Sequence, residues 1–280
     1  MSWVLAIGGW AATFGTLGLA FALVRGVEAR HSAEDSSTAD ARAEMQREWA
    51  FALIYLASAA LLAPLSVWVC SRGMAAVGGH PFLYFRAQGW VGRLALTLGY
   101  FVLMDMIDYA WHRACHSVPW LWAIHSFHHS STHLTVVTTA REHWTAAALS
   151  LPVRTTIGLL IGIDPTTVLF ATWIWSIPPR LSHMNVRHPW GANPFVVTPQ
   201  WHRIHHSTRP EHQGKNFAVV LPFMDVLFGT AYAPQPDEYP ATGLASQEQA
   251  GFFDALVWPF RRSWRAAFER LRGSPSGTQA

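Results

Sequence analysis

The chain alternates long apolar runs with short polar joints, and several runs have the length of membrane-crossing helices. Trp3 to Val24 is the first. Roughly 20 mostly apolar residues cross a bilayer as a helix, and glycine is tolerated there. No positive charge precedes this run, which sets it apart from a cleaved leader. Arg25 to Arg47 is polar and mixed in charge and predicts a loop or an exposed helix. Trp49 to Cys70, flanked by Arg47 and Arg72, is a second span, and the GGHPF segment after it reads as a turn or interfacial stretch. Leu94 to Ala110 is the third span. Trp144 to Ile163 and Pro165 to Ile177 meet at Asp164–Pro165, a turn signal, and predict a tight hairpin, with Pro152 and Arg154 interrupting its first arm. Pro178 to Arg180 ends it. The tail from Ala231 is proline-rich, then amphipathic from Phe252 to Leu271, a pattern for a helix on the membrane face or one docked on the protein; Ser274 to Ala280 is expected to fray.

Composition points the same way. Of 280 residues, 51% are apolar and only 13% are charged, about half the charged share of a soluble domain. Fifteen tryptophans suit an interfacial aromatic belt. The net charge of +3 rests on arginine apart from Lys215, and these charges are scattered rather than striped. No nucleic-acid footprint results. Cys70 and Cys115 are too few and too far apart for a disulfide framework, an iron–sulfur site or a paired-cysteine zinc site. If Arg25, Arg30, Arg42 and Arg47 hold the first loop in the cytoplasm, the later spans return Arg113, Arg187, Arg203, Arg209 and Lys215 to that side, as the positive-inside rule favours.

The chemistry is carried by histidine. His112 and His116 form HxxxH; His125, His128 and His129 form HxxHH; a second HxxHH follows at His202, His205 and His206. On a helix of 3.6 residues per turn, positions i, i+3 and i+4 share a face, so each cluster can aim its imidazoles into one volume. Isolated histidines such as His31, His80 and His212 are ordinary surface or core residues. Eight clustered, buried, neutral imidazoles are different, because each buried ring nitrogen needs a partner and a metal supplies one. Imidazole suits zinc, copper, iron and nickel alike, but ligand number discriminates. A structural zinc closes at four ligands and a catalytic one keeps three; two metals sharing eight or nine histidines suit iron with open positions. Glu142 precedes only one histidine, so no HExxH zinc-peptidase motif is present.

HRxxH, HxxHH and TPxxHRxHHS, closed by NF and MDVLFGT, resemble the fatty acid hydroxylase/sterol desaturase superfamily of membrane di-iron enzymes, from about Asp105 to about Thr230. The resemblance implies an all-α, polytopic membrane helical bundle with a cytoplasmic histidine-rich di-metal cap. It implies N-terminal membrane helices and a polar loop over 1–93, a catalytic unit over 94–232 and an amphipathic tail over 233–280. It adds His183 as a ninth ligand, with His188 a further candidate. Asp105, Asn216, Asp225 and Arg141 match family positions; Asp105 is expected to hold a ligand ring by hydrogen bonding, and Asn216 and Asp225 to act as caps or anchors. Asp108 stands where relatives often have an aromatic residue, and Lys215 where an acidic one is usual. His133 and His143 are expected outside the ligand set. The resemblance further implies two iron ions (zinc can replace them in a purified sample), O2, a membrane lipid substrate such as a fatty acyl chain or sterol, and two electrons from a separate electron-transfer protein. Hydroxylation of an unactivated C–H bond is favoured over desaturation. A bacterial inner-membrane location with the metal site facing the cytoplasm follows from the charges and the arginine-rich composition. Two other classes fit a histidine-rich membrane chain. A metal-transport protein would carry polar residues along its spans, where only Asp105, Asp108 and Arg154 stand; a membrane zinc hydrolase would need an acid/base glutamate beside a histidine pair.

Overall fold

The computed structural model describes residues 18–81, 83–85, 88–163, 171, 174–187, 193–244, 246, 252–253 and 256–263. Most of the first apolar run, most of the second arm of the expected hairpin, His188 and the chain beyond residue 263 lie outside them. The described residues are mostly helical, as expected. Helix α1 covers residues 18–30, α2 Ala39–Ala76, α3 Gly89–Ser117, α4 Pro119–His129 and α5 Trp144–Leu160. The short helices α6 (Pro178–Ser182), α7 (Pro199–His205) and α8 (Phe223–Leu227) follow, and α9 covers residues 256–263. Among the described residues strand is slight: β1 (Leu83–Phe85), in the segment read as a turn, pairs in parallel with β2 (Ile161–Ile163), and Ser207 bridges Thr242.

Helices α2 and α3 are long and apolar enough to cross a membrane, and only 17% and 11% of their most apolar windows are buried. A core helix of a water-soluble protein would bury most of such a surface. Leu61, Trp68 and Trp90 instead stand more than half exposed on apolar outer faces. At a rise of 1.5 Å per residue, the 29 residues of α3 extend about 44 Å, longer than the ~30 Å hydrocarbon layer. The surplus is the C-terminal end, which carries His112 and His116. Val118 and Pro119 then break the helix; proline at the first position of α4 has no N–H to lose. The chain therefore folds back at once and brings HxxHH against HxxxH.

The polar stretch from Arg25 to Arg47 is both loop and helix: the end of α1, a link at 31–38 and the first turns of α2, where Thr38 caps the helix by accepting from Ala41 N. Asp35 and Asp40 are exposed, but Glu28, Glu44 and, just beyond the stretch, Glu48 are buried, with donors supplied by Arg141 and the loops around it. Pro152, which interrupts the apolar run, leaves α5 continuous; the helix packs along α2, with Ser66 Oγ bonded to Thr155 Oγ1 at 3.4 Å. The amphipathic tail docks on the protein where it is described. Trp258 of α9 is buried with Phe51, Phe127 and Leu244 and donates Nε1–H to Ser126 Oγ at 3.0 Å.

Candidate metal centre

The chain ends of α3, α4 and α7 place their histidines in two adjacent groups. His112, His116, His125, His129 and His205 form one; His128, His183, His202 and His206 form the other. Within each group one nitrogen per ring lies within 4.8 Å of all the others. His129 and His206 stack across the boundary with centroids 4.3 Å apart. All nine residues singled out in the sequence are therefore brought together. His183 joins from the turn after α6. His133 lies half-buried beside Thr132, and His143 caps α5 through Thr145 N. His212 packs against Glu238 at 3.1 Å; His31 and His80 are exposed.

The rings are oriented by the backbone. His112 Nδ1 meets Phe217 O at 2.8 Å, His128 Nδ1 meets Arg141 O at 3.2 Å, His183 Nδ1 meets Pro179 O at 2.7 Å and His205 Nδ1 meets Lys215 O at 2.9 Å. A carbonyl only accepts, so each of these Nδ1 atoms carries the proton and Nε2 carries the lone pair. Burial keeps the rings neutral: it lowers the pKa of His183 to about 4 and that of His128, His202 and His206 well below the usual histidine value. His183 Nε2 then faces His128 Nε2 at 3.2 Å and His202 Nε2 at 2.9 Å, with His206 Nε2 3.1 Å from His202 Nε2. Between His183 and His128 neither nitrogen can donate. Two lone pairs held this close repel unless a cation lies between them, and ligands at a metal–nitrogen distance of about 2.0–2.1 Å stand at such separations. In the other group, Nε2 of His116, His125, His129 and His205 is buried with no hydrogen-bond partner among the described residues. The donor set fits a pair of metal ions.

The carbonyls that orient the rings are themselves pinned. Asp105, buried on α3, accepts from Val220 N and Leu221 N, each at 3.0 Å. It touches no ligand ring, and so acts one step further out than the sequence suggests: it holds the segment that carries the Phe217 carbonyl. Asp225 accepts from Phe217 N (2.7 Å), Ala218 N (3.0 Å), Trp201 Nε1 (3.2 Å) and Thr230 Oγ1 (2.7 Å). Burial raises its pKa, against the pull of these donors. Asn216, at φ 59°, occupies the left-handed region that asparagine tolerates. Its Nδ2 donates to Trp201 O and Tyr232 O, and its Oδ1 accepts from Tyr232 N. Asn216 and Asp225 are anchors, as their positions implied.

Sequence reasoning set Arg141 on a family position but missed the carboxylates that complete this support. Arg141 is buried and donates to Phe127 O, Ser130 Oγ and Glu44 Oε1. Glu48 accepts from Ser131, Thr135 and Thr138 hydroxyls, and Glu28 from Val136 N and Asn185 N. Arg203, between two ligands, pairs with Glu34. The usable signal was Glu44 and Glu48 four residues apart on one helical face. Glu142 was also passed over. Its Oε1 lies 3.8 Å from Nδ1 of both His125 and His128, and burial raises its pKa to about 8. An acidic group does stand beside a histidine pair, which the sequence pattern alone did not reveal. A cavity of about 370 Å³ opens on the site, lined by His112, His125, His128, His183 and His202, by apolar residues such as Phe21, Leu56, Trp111, Ile124 and Leu149, and by Asp108, Glu142, Arg154 and Arg180.

The fatty acid hydroxylase family profile matches residues 97–230, the segment that holds all nine histidines. Over this segment, just under half of the chain, the sequence is similar to the fatty acid hydroxylase superfamily. It is 27% identical over 183 residues to an ornithine lipid hydroxylase of Rhizobium tropici, covering 65% of this chain and 55% of that protein. It is 30% identical over 186 residues to an alkylglycerol monooxygenase of Danio rerio, covering 62% and 38%. It is 33% identical over 150 residues to a very-long-chain aldehyde decarbonylase of Oryza sativa subsp. indica, covering 50% and 54%. The matches thus span little more than half of these relatives at most. No solved structure matches the chain.

Proposed function

We propose that this chain is an integral-membrane oxidoreductase that hydroxylates an unactivated C–H bond of a membrane lipid, consuming O2 and two electrons from a separate electron-transfer protein. His112, His116, His125, His129 and His205 would hold one iron ion, and His128, His183, His202 and His206 the other; zinc would occupy the same imidazoles in protein purified without iron. The observation that carries the reading is the pair of Nε2 lone pairs of His128 and His183, 3.2 Å apart in a neutral, buried setting, which calls for a cation. The iron pair, when bound, supplies the oxygen chemistry that side chains lack.

The chain's own groups do the rest. Backbone carbonyls fix four rings, so their Nε2 atoms are set without reorganisation. The apolar cavity walls admit a hydrocarbon segment and keep water away from it. Overall, R–H, O2, two electrons and two protons become R–OH and water, and the electrons enter from the aqueous side, since no haem or flavin module is apparent in the sequence. Hydroxylation is favoured over desaturation because relatives include an ornithine lipid hydroxylase and alkylglycerol monooxygenases. By the arginine distribution, the site would face the cytoplasm of a bacterial inner membrane. The test is purified, iron-loaded protein in lipid with a reducing system and 18O2, followed by mass spectrometry of the lipids. One labelled oxygen in a lipid hydroxyl is the expected result. A new double bond without label would make the chain a desaturase, and turnover without O2 would end the reading.

A further inference from the structure

The cavity wall holds a charged pair that hydrocarbon chemistry does not require. Asp108 lies one helical turn before His112 on α3, and both line the cavity. The rise over four residues is about 6 Å. Asp108 is 3% exposed, and its Oδ1 pairs with Arg154 Nη2 of α5 at 2.6 Å. Its Oδ2 is buried with no hydrogen-bond partner among the described residues. Arg154 is 39% exposed, lies 5.2 Å from the centre of the Trp175 ring and also lines the cavity. It uses one nitrogen on Asp108, which leaves N–H donors without a partner among the described residues.

An ion pair placed only to join α3 and α5 would gain little, because removing two charges from water offsets most of their attraction. Ionisable residues at membrane depth are expensive and mark sites of function. An unsatisfied buried carboxylate oxygen is costly as well, unless something that enters the cavity completes it. The open groups here are an acceptor on Asp108 and a donor on Arg154, side by side.

Resting on the lipid-oxygenase reading, we propose that Asp108 and Arg154 form the subsite for the polar group of the substrate. Asp108 Oδ2 accepts from an N–H or O–H of the lipid, and Arg154 donates to a neighbouring carbonyl or carboxylate oxygen. The substrate is therefore a lipid with a hydrogen-bond donor beside an acceptor, as in an amide or a hydroxy acid. The C–H bond oxidised lies about one helical turn away, roughly four or five bonds along the molecule, and not far out on a bare alkyl chain.

The experiment measures binding to iron-loaded protein in nanodiscs without reductant. The probes are hexadecanamide (donor and acceptor), methyl hexadecanoate (acceptor only) and hexadecane (neither), each corrected for partition into protein-free discs. Wild type should bind hexadecanamide about tenfold or more tighter than the ester. The double variant Asp108→Leu, Arg154→Leu, with iron content checked, should bind all three alike. Equal wild-type affinity for amide and hydrocarbon overturns the proposal, and so does a preference that survives in the double variant. If that variant fails to insert, the wild-type order decides alone. Amide preference without oxygen incorporation would leave this subsite standing and remove the oxygenase reading. Labelled oxygen in hexadecane without any preference would do the reverse.

Discussion

A histidine can bind metal through either ring nitrogen, and here the backbone makes the choice. Where Nδ1–H donates to a carbonyl, as in His183, Nε2 is left as the only lone pair. Removing one ring therefore removes one ligand without unfolding the helix that bore it. His128→Ala and His205→Ala are each expected to insert normally but to lose iron and activity, read by elemental analysis and the 18O2 assay; full activity in either would remove that residue from the ligand set. Acid should act on the same atoms. Burial holds the pKa of His183 at about 4, against 6.5 in an unfolded chain, and pushes the neighbouring rings down as well. Between those values the unfolded chain takes up protons that the folded one refuses, so the rings' contribution to the stability of metal-free protein should fall as pH drops from 6.5 towards 4 and stay level above 6.5, while Glu142, protonated in the fold up to about pH 8, adds a smaller slope of opposite sign. Urea melts of apo protein at pH 5 and pH 7.5 check this, and equal midpoints would contradict it. Eight of the nine clustered histidines are legible in the sequence because their spacing matches the helix period, and His183 through the resemblance of the surrounding motifs. Glu142 is not, since only the tertiary fold carries it to His125 and His128.

At the scale of elements, α3 both reaches across the apolar layer and holds the loop that shapes its own end. Asp105 takes two amides from the 220–221 segment, and the same segment aims the Phe217 carbonyl at His112. Asp105→Ala leaves both amides without an acceptor and is expected to destabilise the fold by about 2–4 kcal/mol and to weaken iron binding roughly 10- to 100-fold. Asp105→Asn, which keeps one acceptor, should fall between. Thermal melts and competition with an iron chelator measure the two effects, and an Ala variant with wild-type iron affinity would show that the segment holds itself. The start of α2 marks where the sequence is mute. Hydropathy places the span at Trp49, yet the helix begins at Ala39. The additional turns are polar, and they stay helical, with Glu44 and Glu48 buried, because Arg141 and the Thr135–Thr138 turn meet those two carboxylates. A pattern of apolar positions reports contact with lipid or core. It carries no information about a carboxylate satisfied from a distant loop.

For the whole molecule, all nine histidines gather at one end of the bundle, where the charge rule places the cytoplasm. Glu211→Cys, exposed beside the last motif, in a chain with Cys70 and Cys115 replaced by Ser, should react with impermeant maleimide in inside-out vesicles and resist it in intact cells. The opposite result would invert the topology. The helical class and the gathering of the clusters are legible from the runs and motifs alone, while the ties from the N-terminal helices to the metal end are not, since they join residues far apart in sequence. Those ties bear on the order of synthesis. Glu48 finds its hydroxyl partners 83 to 90 residues later in the chain, and Arg203 comes 169 residues after Glu34. As the chain leaves the ribosome from its N-terminus, α2 emerges with a carboxylate that nothing yet satisfies. It can settle to its final depth only after Thr138 has been made, so the first helices wait for the loop they later clamp.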